Sequence, residues 1–258
     1  MKKNNLTEQT EEINSKIKYY LNFEKDSTIY NHTHIYSDNI YWCWLQGLDN
    51  APDLYKAAYN SIKNNCINKT NLHQYVKFPS YILEKYNKHL FTDTHFSDLL
   101  RLELLIKYGG TWIDASVLIT KYDDTLYKKD LFFFKYSSWF ITSEKMSPVL
   151  KLTLDLLYEY WRKENYLCHY FLFHHFFRIA WKRHEKDYFK MPNHSNIKEH
   201  ILQKYLLKKY NDTIYSKLIK EANVHKLNIK SFKTISPLNN SFFYYIVNKY
   251  LKNTQNAS

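Results

Sequence analysis

The segment Ser97–Val117, which reads SDLLRLELLIKYGGTWIDASV, contains the pattern that decides the fold. Apolar residues recur at helical spacing up to a pair of glycines, and a short apolar run that ends at Asp114 follows them. This order predicts a helix, a glycine turn and a buried strand. Ligands of open α/β sheets bind at the carboxyl ends of strands, so we expect Asp114 to lie at a binding site.

Two charged residues of the predicted helix lie on one face of it. Asp98 and Arg101 are three residues apart, which places their Cβ atoms about 5–6 Å from each other on a helix. Both side chains can therefore reach one ligand. An ion pair within the helix is the alternative explanation of this spacing, and the glycine pair and strand carboxylate that follow favour the ligand.

Glycine is rare in this chain, with only 3 in 258 residues. Two of them, Gly109 and Gly110, stand side by side at the end of the predicted helix. We therefore expect a backbone turn at this point that a side chain would obstruct.

Other segments also predict regular structure. Pro52 stands where the first turn of a helix tolerates proline, and apolar residues continue at helical spacing to Ile62. The run Leu131–Phe134 predicts a short buried strand, and Met146–Trp161 predicts a helix. An amphipathic opening helix is predicted within Leu6–Phe23.

The segment Ser97–Val117 resembles the donor-site core of GT-A-type glycosyltransferases, above all the bacterial capsular polysaccharide synthesis family. More distant likenesses are the clostridial toxin glucosyltransferases and the yeast initiating mannosyltransferases, with the pattern S-D-x-x-R, helix, G-G, apolar strand and D-x-D. Ile40–Gly47 resembles the first strand and its loop, Tyr75–Ile82 the segment before the next helix, and His225–Leu227 a late basic motif. The resemblance implies an α/β fold, a GT-A-like Rossmann-type nucleotide-sugar-binding domain with additional C-terminal helices.

The resemblance also implies an activity and its partners. The protein would be a retaining glycosyltransferase that moves a hexose from a UDP-linked sugar to a capsular or other cell-surface glycan, or to a lipid-linked oligosaccharide. Asp98 and Arg101 would grip sugar hydroxyls as catalytic residues, and Asp114 would contact ribose, sugar or a metal. The substrate-binding residues expected on this basis are Trp44, Gln46, Asp98, Arg101, Asp114, Ser116, His225 and Lys226.

The second position of the D-x-D pattern is a serine here, in Asp114-Ala115-Ser116. The resemblance implies a divalent cation, Mn²⁺ or Mg²⁺, held by Asp114, Ser116 and His225. A serine hydroxyl is a weak neutral ligand, whereas these cations favour carboxylates and substrate phosphates. The requirement for a metal is therefore left open. His225 and Lys226 are expected at the diphosphate of the donor.

The end of the first predicted strand and the loop after it contain two side chains that suit the binding of a nucleotide base. Trp44 offers an aromatic face for stacking, and Gln46 offers an amide for hydrogen bonds to the base edge. Trp42 and Trp44 share one face of the strand, and core packing explains at least one of them. We favour Trp44 because it is nearer the end of the strand. His174 and His175 lie within an aromatic run, where we expect them to be core residues.

The composition is that of a folded basic protein. A chain of 258 residues, 45% hydrophobic and 18% aromatic, can form one α/β domain with a sizeable core. We divide it into an N-terminal helical segment at 1–38, a nucleotide-sugar-binding core at 39–125, and an acceptor side with C-terminal helices at 126–258. The formal charge of +12 comes mainly from lysine and fits either a coding bias or binding of anionic lipid or a lipid diphosphate.

The cellular location follows from features that the sequence lacks. The 3 cysteines are widely spaced and indicate neither a disulfide framework nor a zinc site. No apolar leader and no run of about 20 apolar residues occurs. We therefore expect a cytoplasmic protein, and a peripheral contact with the inner membrane surface stays open.

Two other classes of function were weighed. An inactive family member that acts as a scaffold is compatible with Ser116. A nucleic-acid-binding module is suggested by the basic charge, but lysine dominates over arginine and the aromatic residues lie inside apolar runs, which disfavours nucleic acid as a partner.

Overall fold

The computed structural model of the protein describes residues 36–66, 76–135, 137–185, 194–228 and 239–252. The opening helix predicted within Leu6–Phe23 lies outside these ranges. Within them, no helix combines the length and the apolar composition needed to cross a membrane.

The described residues form six strands and eight α-helices. The strands are β1 Ile40–Tyr41, β2 Gly110–Ile113, β3 Val117–Ile119, β4 Leu131–Phe133, β5 Phe140–Ser143 and β6 Val224–Lys226. The helices are α1 Asp53–Asn65, α2 Ser80–Asn87, α3 Asp93–Tyr108, α4 Asp124–Tyr127, α5 Pro148–Lys163, α6 Leu172–His184, α7 Asp212–Glu221 and α8 Phe242–Val247.

A four-stranded sheet with the order β1-β2-β5-β4 forms the centre of the fold. β1 runs parallel to β2, and β5 is antiparallel to its neighbours β2 and β4. A second sheet pairs β3 antiparallel to β6, with Val117 opposite Lys226. The α/β class predicted from the sequence is confirmed. The boundary predicted at residue 125 falls inside the main sheet, because β4 and β5 come after it in the chain.

Layers of helix and strand cover both faces of the main sheet. α3, α5 and α6 bury their apolar side chains against one face, where Leu102 of α3 and Trp112 of β2 belong to the same cluster. The other face packs against the second sheet and α1 through Ile40, Ile62, Ile113, Val117, Ile119, Phe132, Phe140 and Val224. The carboxyl end of β2 therefore lies where α3 and β6 can both reach it.

The helix, turn and strand predicted for Ser97–Val117 are confirmed as α3, the glycine pair and β2. Gly109 and Gly110 have φ angles of 64° and 106°. A Cβ atom on Gly110 would collide with the carbonyl oxygen of Asn39, which accepts a hydrogen bond from the Thr111 amide at 2.8 Å. β1 approaches β2 this closely because residue 110 has no side chain.

The remaining predicted elements are also present. The helix after Pro52 is α1, and the strand in Leu131–Phe134 is β4. The helix predicted from Met146 begins two residues later, at Pro148, because Met146 has a φ of 59° and cannot belong to a right-handed helix.

Candidate functional site

Arg101 is the centre of the candidate site, and its side chain is only 2% exposed. Its Nη1 lies 3.3 Å from Asp98 Oδ1, and its Nη2 lies 3.3 Å from Asp114 Oδ1. One carboxylate is a turn earlier on α3 and the other follows β2. The structure therefore brings together the three residues that we predicted to be catalytic.

The other contacts of Arg101 hold its guanidinium in one orientation. Nη1 donates to the Ser138 carbonyl at 2.6 Å, while Nε and Nη2 donate to the carbonyl and the hydroxyl of Ser97 at 3.2 and 3.1 Å. Its Cζ lies 5.0 Å from the centre of the Trp112 ring and 5.7 Å from that of Phe173. A buried cation is tolerated when its donors are satisfied, and this one is fixed before any ligand binds.

Asp114 connects the main sheet to the second sheet. Its Oδ1 accepts a hydrogen bond from Trp112 Nε1 at 2.8 Å, and its Oδ2 accepts one from Lys226 Nζ at 2.7 Å. Lys226 reaches this position because β6 pairs with β3, the strand that follows Asp114 in the chain. The Asp114 side chain is 24% exposed, so a ligand can approach the group.

The two carboxylates titrate in opposite directions. Burial raises the pKa of Asp98 to about 7, with Arg101 opposing the rise and Asp114 adding to it. Burial also acts to raise the pKa of Asp114, but the charges of Lys226 and Arg101 outweigh it and lower that pKa to about 2. At neutral pH Asp114 is ionised, while Asp98 is close to its point of half-protonation.

Trp44 lies on the α1 side of Asp114. Its ring centre is 5.1 Å from that of Tyr55 on α1, and burial together with the Asp114 charge raises the pKa of Tyr55 to about 12. Trp42 pairs in the same way with Tyr59 of α1, at 5.0 Å, and packs into the core. An aromatic pair therefore lies close enough to Asp114 to feel its charge.

Gln46 lies at the rim of this region. Its Nε2 donates to Asp93 Oδ2 at 2.5 Å, which ties the loop after β1 to the first turn of α3. Ser116 lies in the turn between β2 and β3, where its carbonyl accepts a hydrogen bond from the Leu227 amide at 2.8 Å.

The structure places His225 apart from these residues, whereas the family resemblance implied that it joins Asp114 at a metal or diphosphate. Neighbouring strand residues point to opposite sides, so Lys226 faces Asp114 while His225 faces away. The imidazole is 1% exposed, its Nε2 lies 3.4 Å from Thr120 Oγ1, and burial lowers its pKa to about 4. Within the described ranges, no group of three or more His, Cys, Asp and Glu side chains is arranged to hold a metal ion.

Sequence reasoning missed three residues around the site. Trp112, expected only as part of a buried strand, donates to Asp114, and Tyr55 pairs with Trp44. His174 was expected in the core, but it also lies near the site: burial and the charges of Arg101 and His175 lower its pKa, and the charge of Asp114 opposes them. No motif marks Tyr55 or His174, because each approaches the site from a helix distant in sequence.

Comparison with known proteins confirms the family resemblance. The chain belongs to the capsular polysaccharide synthesis protein family, which it matches over residues 1–246. No curated protein matches it. Among solved structures it is similar to one titled "PaToxG Glycosyltransferase", with 17% identity over 69% of this chain and 77% of that one and a TM-score of 0.40. That likeness is too distant to assign a fold or an activity.

Proposed function

We propose that the protein is a glycosyltransferase that moves a hexose from a nucleotide sugar, UDP-linked, to a capsular or other cell-surface glycan with retention of configuration. One observation carries this proposal: Arg101 joins Asp98 and Asp114, and Lys226 reaches the same Asp114 carboxylate. Family membership supports the same conclusion. Two carboxylates and two cations at a strand end suit a ligand that carries both hydroxyls and a diphosphate.

The charged side chains of the site have separate roles in the proposed reaction. Asp98, with its pKa raised to about 7, can donate as well as accept a hydrogen bond and grips a sugar hydroxyl. Arg101 and Lys226 stabilise the negative charge that develops on the departing diphosphate. Since Arg101 is fixed by Ser97 and Ser138, little reorganisation accompanies the reaction.

The nucleotide lies against Trp44 in this proposal. The Trp44–Tyr55 pair provides an aromatic wall, and Trp44 Nε1 is buried without a hydrogen-bond partner in the described part of the chain. A nucleotide base stacked on this wall would contact the face of the Trp44 ring. Gln46 lies further out and can reach the base edge from the loop after β1.

The residues around Asp114 do not fit a divalent cation. Trp112 and Arg101 engage Oδ1, and Lys226 engages Oδ2. Another cation would be repelled by Arg101 and Lys226, and Ser116 adds only a neutral oxygen. We therefore propose that these two side chains supply the positive charge in place of the Mn²⁺ or Mg²⁺ that the resemblance implies.

A panel of nucleotide sugars incubated with the purified protein tests the function and the donor together. We expect slow hydrolysis of one UDP-hexose and faster loss of that donor when a glycan acceptor is added. Arg101→Lys should lower turnover about 100-fold, because the ammonium cannot hold both carboxylates and the three acceptor groups of Ser97 and Ser138 at once.

Arg162→Lys is the matched control for this variant. Arg162 is 61% exposed and pairs with Glu159, three residues before it on the same helix, so the turnover of this variant should match the wild type. Full turnover in Arg101→Lys, or no UDP binding by the wild-type protein, would overturn the proposed function.

A further inference from the structure

Two aromatic side chains immediately before α6 remain exposed. Tyr170 and Phe171 are each 51% exposed, and their rings meet edge to face with centres 5.1 Å apart. Adjacent exposed rings are typical of a surface that binds a ligand or another macromolecule. Together with His174 of α6, we name these residues the aromatic ledge.

The aromatic ledge is fixed next to the residues of the candidate site. His95 lies on α3, one turn before Asp98, and its Nε2 donates to the Tyr170 carbonyl at 3.2 Å. The Tyr170 ring also meets the His95 ring edge to face at 5.4 Å. His95 is in turn held by Thr92, whose hydroxyl lies 2.8 Å from Nδ1. The helix that carries Asp98 therefore also carries the support of the ledge.

His174 connects the ledge to Arg101. Its ring centre lies 5.4 Å from Phe171 and 5.6 Å from Phe173, and Phe173 packs against the Arg101 guanidinium at 5.7 Å. His174 also feels the charges of Arg101 and Asp114. The ledge and the Trp44–Tyr55 pair thus both lie near Asp114, the ledge on the side of α6 and the pair on the side of α1.

One ring nitrogen of His174 lacks a hydrogen bond within the part of the chain that the structure describes. Nδ1 is buried and has no partner among the described residues. A buried nitrogen without a partner is destabilising, so Nδ1 calls for a partner that the described residues do not supply. Burial, with the nearby Arg101 charge, lowers the pKa of His174 to about 4, so the ring is neutral near pH 7 and offers one donor and one acceptor.

We propose that the aromatic ledge is the subsite for the acceptor, and that it binds a neutral sugar. The C–H face of the sugar ring packs on Phe171 and Tyr170, and one of its hydroxyls bonds to His174. A sugar fits better than an ion because the ledge has apolar rings and a neutral imidazole but no charge of its own. This inference rests on the proposed function, since the ledge would present the sugar hydroxyl to a donor held at Arg101 and Asp114.

A fluorine probe on the ledge tests the proposal in the full chain. 4-Fluorophenylalanine replaces Phe171 in one protein and Tyr36 in another. Position 36 is the control, because Tyr36 is also about half exposed, at 49%, but is remote from the ledge. Its hydroxyl donates to Asp130, and Asp130 and Asp114 lie at opposite ends of the main sheet. With UDP present, methyl β-glucoside, methyl β-galactoside and methyl N-acetyl-β-glucosaminide are titrated. We expect a saturable shift of the fluorine resonance at position 171 with at least one glycoside and none at position 36.

Variants of His174 separate hydrogen bonding from packing. His174→Leu, in the protein labelled at position 171, should weaken the glycoside about tenfold, which corresponds to roughly 1.4 kcal/mol. His174→Gln keeps a donor and an acceptor and should bind nearly as the parent does. Unfolding midpoints of all three proteins show whether each variant is folded.

Several results would overturn the subsite. The first is a fluorine resonance at position 171 that shifts with no glycoside, or that shifts as much as the resonance at position 36. The second is a shift at position 171 caused by uridine alone. The third is a dimer, detected by sedimentation, that Phe171→Ala dissociates. The proposed function is judged separately by UDP binding. Sugar binding at Phe171 without any UDP binding would keep the ledge as a sugar site and reject the glycosyltransferase, whereas UDP binding without sugar binding would reject the ledge alone.

Discussion

Arg101 shows how far local spacing predicts a site. The three-residue interval between Asp98 and Arg101 predicted that they share a helix face, and Arg101 Nη1 lies 3.3 Å from Asp98 Oδ1. The bond from Arg101 to the Ser138 carbonyl joins residues 37 apart, in a loop with no recognisable pattern. Spacing along one helix was therefore predictable, but the groups that fix the guanidinium from other parts of the chain were not.

Asp98 should give the protein a measurable pH dependence of stability. Its folded pKa, about 7, lies above that of the unfolded chain, so its contribution to stability is present at low pH and is lost as the pH rises through 7. Between about pH 5 and pH 8, the free energy of unfolding of the wild type should fall by roughly 2 kcal/mol relative to Asp98→Asn.

Urea denaturation of both proteins across this range measures the difference. A difference that stays constant with pH would mean that Asp98 is ionised throughout, as a fully compensated partner of Arg101.

At the level of elements, the succession of α3, glycine pair and β2 was predictable because each signal is local. Periodic leucines indicate the helix, the glycines its end, and the apolar run the strand. The pairing of β3 with β6 was not predictable, since these strands have three residues each and are distant in sequence. That pairing decides which residue of the basic motif faces Asp114, which is why Lys226 and not His225 reaches it.

Gly110→Ala should destabilise the protein by about 3 kcal/mol or more, because a Cβ atom there collides with the Asn39 backbone at a φ of 106°. Gly47 is the matched control, since its φ is 87° but the nearest atom to a Cβ atom would be 3.9 Å away. Gly47→Ala should cost only about 1 kcal/mol, the strain of the backbone alone. Equal losses in chemical denaturation would show that the contact between β1 and β2 adjusts to a side chain.

For the whole molecule, composition predicted a sizeable core and the family resemblance implied the α/β class, but neither predicted the assembly of the site. Asp98 and Arg101 come from α3, Asp114 from the main sheet and Lys226 from the second sheet. A sequence contains no direct record of how two sheets pack, so the meeting of Lys226 with Asp114 required the structure.

Turnover should persist in excess EDTA, and calorimetry should show no Mn²⁺ binding to the protein without UDP. Lys226→Ala should lower turnover about 100-fold and expose Asp114 Oδ2 to Mn²⁺, since it removes the ammonium bound at 2.7 Å. Lys128→Ala is the control, because Lys128 is 49% exposed and its pairing with Asp124 is remote from the site. Activity abolished by EDTA and restored by Mn²⁺ would reject the role given to Lys226.

The bond between Lys226 and Asp114 spans 112 residues of chain. A ribosome adds about 5–20 residues per second, so the ammonium emerges on the order of ten seconds after the carboxylate it binds. During that interval the growing chain contains Arg101 and Asp114 but lacks Lys226. It therefore has one of the two positive charges that we propose at the diphosphate. We therefore expect a chain that stops before β6 to have little turnover under the proposed function, because it lacks Lys226.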